Sequence, residues 1–296
     1  MAYFVKSPDF RPTSLRGLRS GDKDQYQVQI HPDHSHGPAA HGGFVIALLW
    51  KSACTYFQTT LAAHGQHDQV AVHVEFLRPP TVGHATVQVK DAAKSVQLRT
   101  SRVTIPTGFK IDPPIPPGNF KDALAHKDPI LVLFHVPYRE YAINKALSTV
   151  HILIQRRACE DKSIMQGWVS RSATEEKWTN EELGIFSIQS IANRAVEVAD
   201  RGESKKHWQW GGDRWYTTVN MTIDVKQAVP PEGVKWLFTR QKTIDVIDGR
   251  LSVRGEVWDE QESLVALVQS SWLMVENSRA VISKARKENV ASNSKI

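Results

Sequence analysis

One order of elements occurs twice along the 296-residue chain. In each copy a long apolar helical pattern is followed by an alternating strand, a Pro-Pro pair and a series of further strands. The two pairs, Pro79-Pro80 and Pro230-Pro231, lie 151 residues apart, which is about half of the chain and an ordinary size for a domain. The spacing therefore predicts a tandem duplication of one α+β unit.

The helix of the first copy is predicted to be buried on all sides. Between residues 42 and 62 apolar residues occupy nearly every face, and a helix of that kind is enclosed by other elements. Alternating apolar residues predict strands at 69–77, 85–91 and 96–105. A sheet that curls around the helix would satisfy both patterns.

The second copy repeats this arrangement. A short strand is predicted at 167–169, and a helix at 183–198 follows the acidic turn 180–182. The remaining predicted strands are 216–225, 235–243, 250–258 and 264–275, with a turn at Asp248-Gly249.

A proline-rich segment separates the two copies. Five prolines and two glycines lie between residues 106 and 126, which is typical of a linker or an irregular excursion. We therefore predict an N-terminal domain at 1–110, a linker or excursion at 111–160, a C-terminal domain at 161–280 and a flexible tail at 281–296.

Composition narrows the classes of function. The net charge is +6, but the positive residues are spread thinly and form no basic stripe with aromatics, so nucleic acid is not an expected partner. The longest apolar run, residues 44–50, is too short to span a bilayer. Cys54 and Cys159 cannot form a disulfide framework or a zinc site by themselves. We expect a cytoplasmic protein, with the peroxisome as the alternative because Ser294-Lys295-Ile296 approaches a Ser-Lys-Leu signal.

Common catalytic motifs are absent from the sequence. It contains no nucleophile elbow, phosphate-binding loop or dinucleotide fingerprint. His31, His34, His36 and His41 are loosely spaced in a segment with proline and glycine, which favours a polar loop near a pocket over a metal site. We therefore expect neither a metal nor a cofactor, and of the four histidines His41 is expected to face a ligand.

Three short motifs carry a resemblance to a known family. They are His41-Gly42-Gly43-Phe44 at the helix start, Phe76-Leu77-Arg78-Pro79 after the next strand, and Leu264-Val265-Ala266 shortly before Gln269. In this order, over residues 35–276, they resemble the double-hotdog acyl-CoA thioesterases of the thioesterase II and thioesterase-like group. The resemblance implies a tandem hotdog fold, in which two antiparallel sheets are each wrapped around a long helix. It also implies a small-molecule acyl thioester as substrate, bound where the two units pair.

The resemblance also implies a set of catalytic residues. In the family an Asp, a Thr or Ser, and a Gln orient the attacking water. The matching positions here are Asn193, Asn220 and Gln269, and a shift of register would move the middle position to Thr218 or Thr222.

Four further residues are candidates for binding substrate. His41 and Trp215 would line the pocket, Trp215 within a loop rich in aromatics. The amides of Gly42 and Gly43 would hold the developing oxyanion, unless these glycines only allow close packing of the helix on the sheet.

Asn193 departs from the family pattern, because an amide cannot accept a proton as a carboxylate does. Three hypotheses follow. The first is a thioesterase-like hydrolase, in which Glu197 is a candidate substitute base. The second is a non-hydrolytic biosynthetic enzyme of a natural-product pathway, a cyclase or an isomerase. The third is a non-catalytic acyl-binding protein. The sequence leaves open whether the chain forms a homo-oligomer.

Overall fold

In a computed structural model of the protein we describe residues 11–12, 23–32, 35–36, 39–59, 70–78, 80–90, 111–134, 150–156, 160–161, 163–171, 176–183 and 214–276. The helices are α1 (Gly42–Thr59) and α2 (Phe120–Leu124), with a 3-10 turn at Asn180–Glu182. The strands are β1 (Arg11–Pro12), β2 (Lys23–Ile30), β3 (Ser35–His36), β4 (Ala39–Ala40), β5 (Ala71–Glu75), β6 (Gly83–Lys90), β7 (Leu131–Leu133), β8 (Val150–Gln155), β9 (Ile164–Arg171), β10 (Arg214–Val225), β11 (Trp236–Ile247), β12 (Arg250–Trp258) and β13 (Leu264–Glu276).

The main sheet has eight antiparallel strands in the order β5-β10-β13-β12-β11-β9-β8-β7. A three-stranded sheet, β1-β2-β6, and the short pair β3-β4 belong to the first copy. Because β5 of the first copy is hydrogen-bonded to β10 of the second, the two copies are joined through their sheets. Of the two long helices predicted, α1 is described, and the one predicted at 183–198 is described only at Leu183.

The strand pairing follows the internal duplication. Val72 of β5 lies opposite Ile223 of β10, and these two residues are separated by the same 151 positions as the Pro-Pro pairs. Each therefore pairs with its own counterpart, as expected when two copies meet across a local two-fold axis. Within the copies, β2 pairs with β6 as β9 pairs with β11. In the first copy the strand before α1 pairs with the strand after Pro-Pro, and in the second copy the strand before the predicted helix does the same.

One face of the main sheet packs against α1, and we call it the inner face. As the apolar pattern predicts, the helix is buried on most sides, and Phe44, Ile46 and Trp50 are among its most buried residues. They join a core of sheet residues that includes Ile223, Leu237, Val257, Ala266 and Val268. Each large apolar side chain buried in this way contributes about 1.5–3 kcal/mol.

The opposite, outer face is partly covered by residues 111–134. Ile115, Ala123 and Leu131 from this segment pack with Trp168, Trp236, Phe238 and Trp258 of the sheet. The Phe120 ring stacks on Trp236 at a centroid distance of 4.6 Å. The first part of the predicted excursion is therefore a packed layer, while the predicted domain boundaries themselves stay a prediction.

Asp128 ties this layer together. Its carboxylate accepts the backbone amides of Leu131 at 2.6 Å, Asn119 at 2.7 Å and Ile130 at 2.8 Å. These hydrogen bonds, with Leu131 the strongest contributor, outweigh desolvation and hold the pKa of Asp128 below its ordinary value. Because the folded pKa is the lower one, this stabilisation is complete above about pH 4 and is lost as the pH falls through the folded pKa.

We expect Asp128→Asn to lower the free energy of unfolding at pH 7 by about 1–3 kcal/mol, since an amide is a weaker acceptor for these amides. The deficit should shrink as the pH falls through the folded pKa of Asp128, because the wild-type carboxyl then becomes neutral as well. Urea denaturation at several pH values measures the difference in the free energy of unfolding between the wild type and the variant, and Asp122→Asn in α2 is the control. A deficit that is independent of pH would contradict this interpretation.

Among the described residues, neither helix has the length and apolar character required to cross a membrane.

Candidate active site

The buried start of α1 is the first component of the candidate site. The carbonyl of His41 accepts the amide of Val45 at 3.1 Å, so the helix begins directly after His41. His41 and Gly43 are buried, and the first turn contains no acidic side chain. Amides of a first helical turn have no acceptor within the helix, and the helix dipole is positive there. This end of α1 is therefore suited to stabilise a developing negative charge.

Gly42 faces residues from both copies. A Cβ atom at Gly42 would lie 3.5 Å from the Phe76 ring and 3.7 Å from the Thr218 hydroxyl. Phe76 directly follows β5 of the first copy, and Thr218 belongs to β10 of the second. The helix start, an aromatic ring and a hydroxyl thus meet where the two copies join.

A β-bulge in β10 determines that Thr218 points here. The register with β13 shifts between Thr218 and Asn220, and the amide of Phe76 donates to the carbonyl of Val219 at 2.8 Å. Thr218 lies opposite Trp272, which is buried on the inner face. Without the bulge, Thr218 and Asn220 would share a face of the sheet.

The structure places Asn220 and Gln269 together on the outer face. Asn220 lies opposite Ser271, and Thr222 lies opposite Gln269, which makes Asn220 and Gln269 diagonal neighbours on adjacent strands. Gln269 is exposed, and Thr222 hydrogen-bonds Nδ1 of His73 at 2.7 Å. Both residues thus lie on the side of the sheet opposite to α1 and Thr218. Their role in orienting water stays a prediction from the resemblance.

Other predicted residues are only partly described. Asn193 and Glu197 lie outside the described residues, as does His34. Trp215 is placed in β10 opposite Val275, but its side chain lies outside the description. In the described part of the chain, no three His, Cys, Asp or Glu side chains converge as a metal site would require.

The structure adds a polar group of residues that the sequence interpretation missed. Thr239, Gln241 and Ser270 are buried on the inner face, at 2%, 3% and 2% exposure, and line a small cavity. The side chain of Trp272 donates to the Ser270 hydroxyl at 2.7 Å. The sequence did contain a signal for these residues. From Thr239 to Thr243 every residue of β11 is polar, whereas a strand with one buried apolar face alternates between apolar and polar residues.

The central part of the inner face offers hydrogen bonds from hydroxyls and one amide, namely Thr218, Thr239, Gln241, Thr243 and Ser270 of β10, β11 and β13. The buried carboxylate of Glu182, in the turn that packs against α1, is held by Arg171. At the start of α1, His41 is the described side chain that can exchange a proton near neutral pH. This arrangement can polarise a carbonyl and orient a water molecule.

An antiparallel sheet that packs on one long helix, with a second copy joined through paired strands, places the chain among hotdog-type proteins. A family model described as the acyl-CoA thioesterase N-terminal domain matches residues 30–113, and one described as the acyl-CoA thioesterase C-terminal domain matches residues 139–273. The chain belongs to this family of two-domain acyl-CoA thioesterases.

Similar proteins agree with this assignment. The thioesterase-like protein TwmA of Talaromyces wortmannii is 22% identical over 306 aligned residues, which cover 83% of this chain and 86% of TwmA. A Thermobifida fusca structure described as a thioesterase II is 17% identical, with a TM-score of 0.57 and coverage of 90% of this chain and 96% of that one. A hot dog fold protein from Alicyclobacillus acidocaldarius has a TM-score of 0.53 at 14% identity, covering 87% of this chain and 95% of its own. These structures show the shared fold.

Proposed function

We propose that the protein is a thioesterase-like enzyme with a tandem hotdog fold, and that it hydrolyses an acyl thioester at the start of α1. One observation carries the proposal: a buried helix N-terminus without acidic side chains faces the Thr218 hydroxyl of the other copy. This geometry combines donors for an oxyanion with a group that can orient water. Both are needed for attack on a thioester carbonyl.

In the proposed reaction the thioester carbonyl oxygen lies at the amides of Gly42 and Gly43. Thr218 orients a water molecule, whose oxygen bonds to the carbonyl carbon while the negative charge on the carbonyl oxygen is held by the helix start. The carbon–sulfur bond then breaks, and the proton lost by the water reaches the leaving sulfur, with His41 able to relay it. The products are a carboxylic acid and a thiol.

Replacing Thr218 tests this site. We expect Thr218→Val to lower kcat/KM for acyl-CoA hydrolysis about tenfold, because one hydrogen bond in the transition state is lost. Thr222→Val is the matched control, since it makes the same change on the same strand but on the outer face. Thiol release from acyl-CoAs of several chain lengths, followed with a thiol reagent, measures the rates. Equal losses in both variants would contradict the assignment to Thr218.

A second candidate function is a non-hydrolytic biosynthetic reaction, such as a cyclisation or an isomerisation, in the same pocket. It is favoured by Asn193, which the resemblance places at the family's aspartate position, because an amide cannot accept a proton as a carboxylate does. No thiol release from any acyl-CoA by the wild-type protein would favour this candidate. Thioesterase activity that appears only in Asn193→Asp would show that hydrolysis had been lost. Wild-type turnover that the change hardly alters would exclude the second candidate.

A further inference from the structure

A row of three side chains crosses the inner face from β10 to β12, and it begins at the proposed catalytic hydroxyl. Thr218 of β10 lies opposite Trp272 of β13, and Trp272 lies opposite Leu251 of β12. Directly opposite residues on one face of a sheet have Cβ atoms about 4.5–5.5 Å apart, so their side chains are neighbours. Beyond the Thr218 hydroxyl the row is therefore apolar, and its first member is the indole ring of Trp272.

The indole ring of Trp272 is held in a defined position. The residue is 1% exposed, and its Nε1 atom donates to the Ser270 hydroxyl at 2.7 Å, two residues earlier on the same face. Leu251, Val253 and Met274 pack around it. A ring that is fixed both by a hydrogen bond and by close packing can move aside for a ligand only if these contacts are lost.

Trp272 and α1 belong to two separate apolar clusters. Phe44 and the other buried residues of α1 join the main core of the sheet, whereas Trp272 packs with Leu251 in a smaller cluster of its own. Thr218 lies between the two, with Gly42 of α1 on one side and Trp272 on the other. Ligand pockets form preferentially where separately packed units meet, so this boundary is the place where an acyl group can enter.

We propose that Trp272 is the end wall of the acyl pocket, and that the substrate class is short-chain acyl thioesters. The inference rests on the proposed function, because it assumes that the thioester carbonyl is held at the start of α1 beside Thr218. From that position one strand spacing, about 4.8 Å, separates Thr218 from Trp272, so an acyl chain that follows the apolar row meets the indole within its first few carbons. A longer chain would have to displace the ring from Ser270 and from its packing.

Shortening this side chain tests the proposal. Thiol release from a series of acyl-CoAs, from acetyl-CoA to decanoyl-CoA, gives kcat/KM for each chain length. For the wild type we expect kcat/KM of decanoyl-CoA to lie at least about a hundredfold below that of butanoyl-CoA, because even one methylene too many in an apolar pocket costs about 10–200-fold. In Trp272→Leu this ratio should shrink by at least about tenfold, mainly through faster turnover of decanoyl-CoA.

Trp258→Leu is the matched control. It makes the same substitution at a buried tryptophan of the same sheet, but Trp258 faces the layer formed by residues 111–134. We expect this variant to lose stability, as Trp272→Leu does, and to keep the chain-length ratio of the wild type. The thermal midpoint of each variant is measured alongside its activity. If Trp272→Leu does not fold, Trp272→Phe keeps a ring at this position and should still shrink the ratio by about threefold.

The results separate this inference from the proposed function. A wild type that hydrolyses decanoyl-CoA as well as butanoyl-CoA would overturn the inference alone. The same holds if the ratio is unchanged in the folded Trp272 variants, or if Trp258→Leu changes it to the same extent. Absence of thiol release from every acyl-CoA, with the wild type and with the folded variants, would overturn the proposed function and this inference together.

Discussion

Arg171→Leu is expected to lower the free energy of unfolding by about 3–5 kcal/mol, because it leaves the buried carboxylate of Glu182 without its partner. Nη2 of Arg171 donates to Oε1 of Glu182, and the two side chains are 2% and 3% exposed. Nε lies 4.0 Å from Glu176, and the guanidinium lies 4.4 Å from the centre of the Trp178 ring. Burial lowers the pKa of Arg171, but Glu182 and Glu176 oppose that shift and guanidinium stays charged in proteins.

Urea denaturation followed by tryptophan fluorescence measures the effect. The double variant Arg171→Leu/Glu182→Leu is the matched control, since it removes both charges together. We expect it to recover most of the loss, because a buried ion pair contributes little over apolar residues of similar size. If the free energy of unfolding of Arg171→Leu lies within about 1 kcal/mol of the wild-type value, the carboxylate of Glu182 does not depend on Arg171, and this interpretation is contradicted.

The ion pair also bears on the candidate site. It connects the end of β9 to the turn at Asn180–Glu182, where the amide of Thr179 donates to Glu182 at 3.1 Å. Trp178 and Leu183 on either side of this turn belong to the same core as Phe44 of α1. Loosening the turn is therefore expected to disturb the packing next to the start of α1.

Gly42→Ala is expected to lower kcat/KM for thioester hydrolysis about a hundredfold. The added methyl group would occupy the space between the helix start, the Phe76 ring and the Thr218 hydroxyl, where the carbonyl oxygen is proposed to lie. The methyl carbon would lie 3.5 Å from the Phe76 ring and 3.7 Å from the Thr218 hydroxyl, which are ordinary van der Waals distances, so the fold should tolerate the methyl group.

Stability is the control for this variant. Alanine is favoured over glycine in a helix by about 0.5–1 kcal/mol, so the free energy of unfolding should be unchanged or slightly higher. Loss of activity without loss of stability would place the effect in the site. Full activity in Gly42→Ala would argue that the two glycines serve only close packing of the helix.

Much of the secondary structure could be predicted from local pattern. The alternation predicted β10, β12 and β13 to within two residues of their ends, whereas β11 continues four residues beyond the predicted end, to Ile247, past a register shift. The turn between β11 and β12 has positive φ at Asp248 and Gly249, as this pair of residues favours. The strand β2 was missed, although Tyr26, Val28 and Ile30 alternate with polar residues and are buried. The signal was present but short, and it follows a stretch without a clear pattern.

The candidate site was less accessible to prediction. Sequence register suggested Asn220 and Gln269, but a period of two assigns faces only while a strand is regular. One extra residue at the bulge next to Val219 reverses the assignment, so Thr218 points toward α1 and Asn220 points away. Bulges leave no reliable trace in a single sequence, because they depend on how two strands pair.

By itself, the sequence determined the duplicated unit, the buried helix and the alternating strands, because each of these follows from the local periodicity of apolar residues. Tertiary structure alone decided which hydroxyl meets the start of α1, how β5 joins the copies through β10, and that residues 111–134 cover the outer face. These features depend on pairings between residues that are far apart in the chain. Local hydrophobic pattern carries no information about which distant partner a strand will choose.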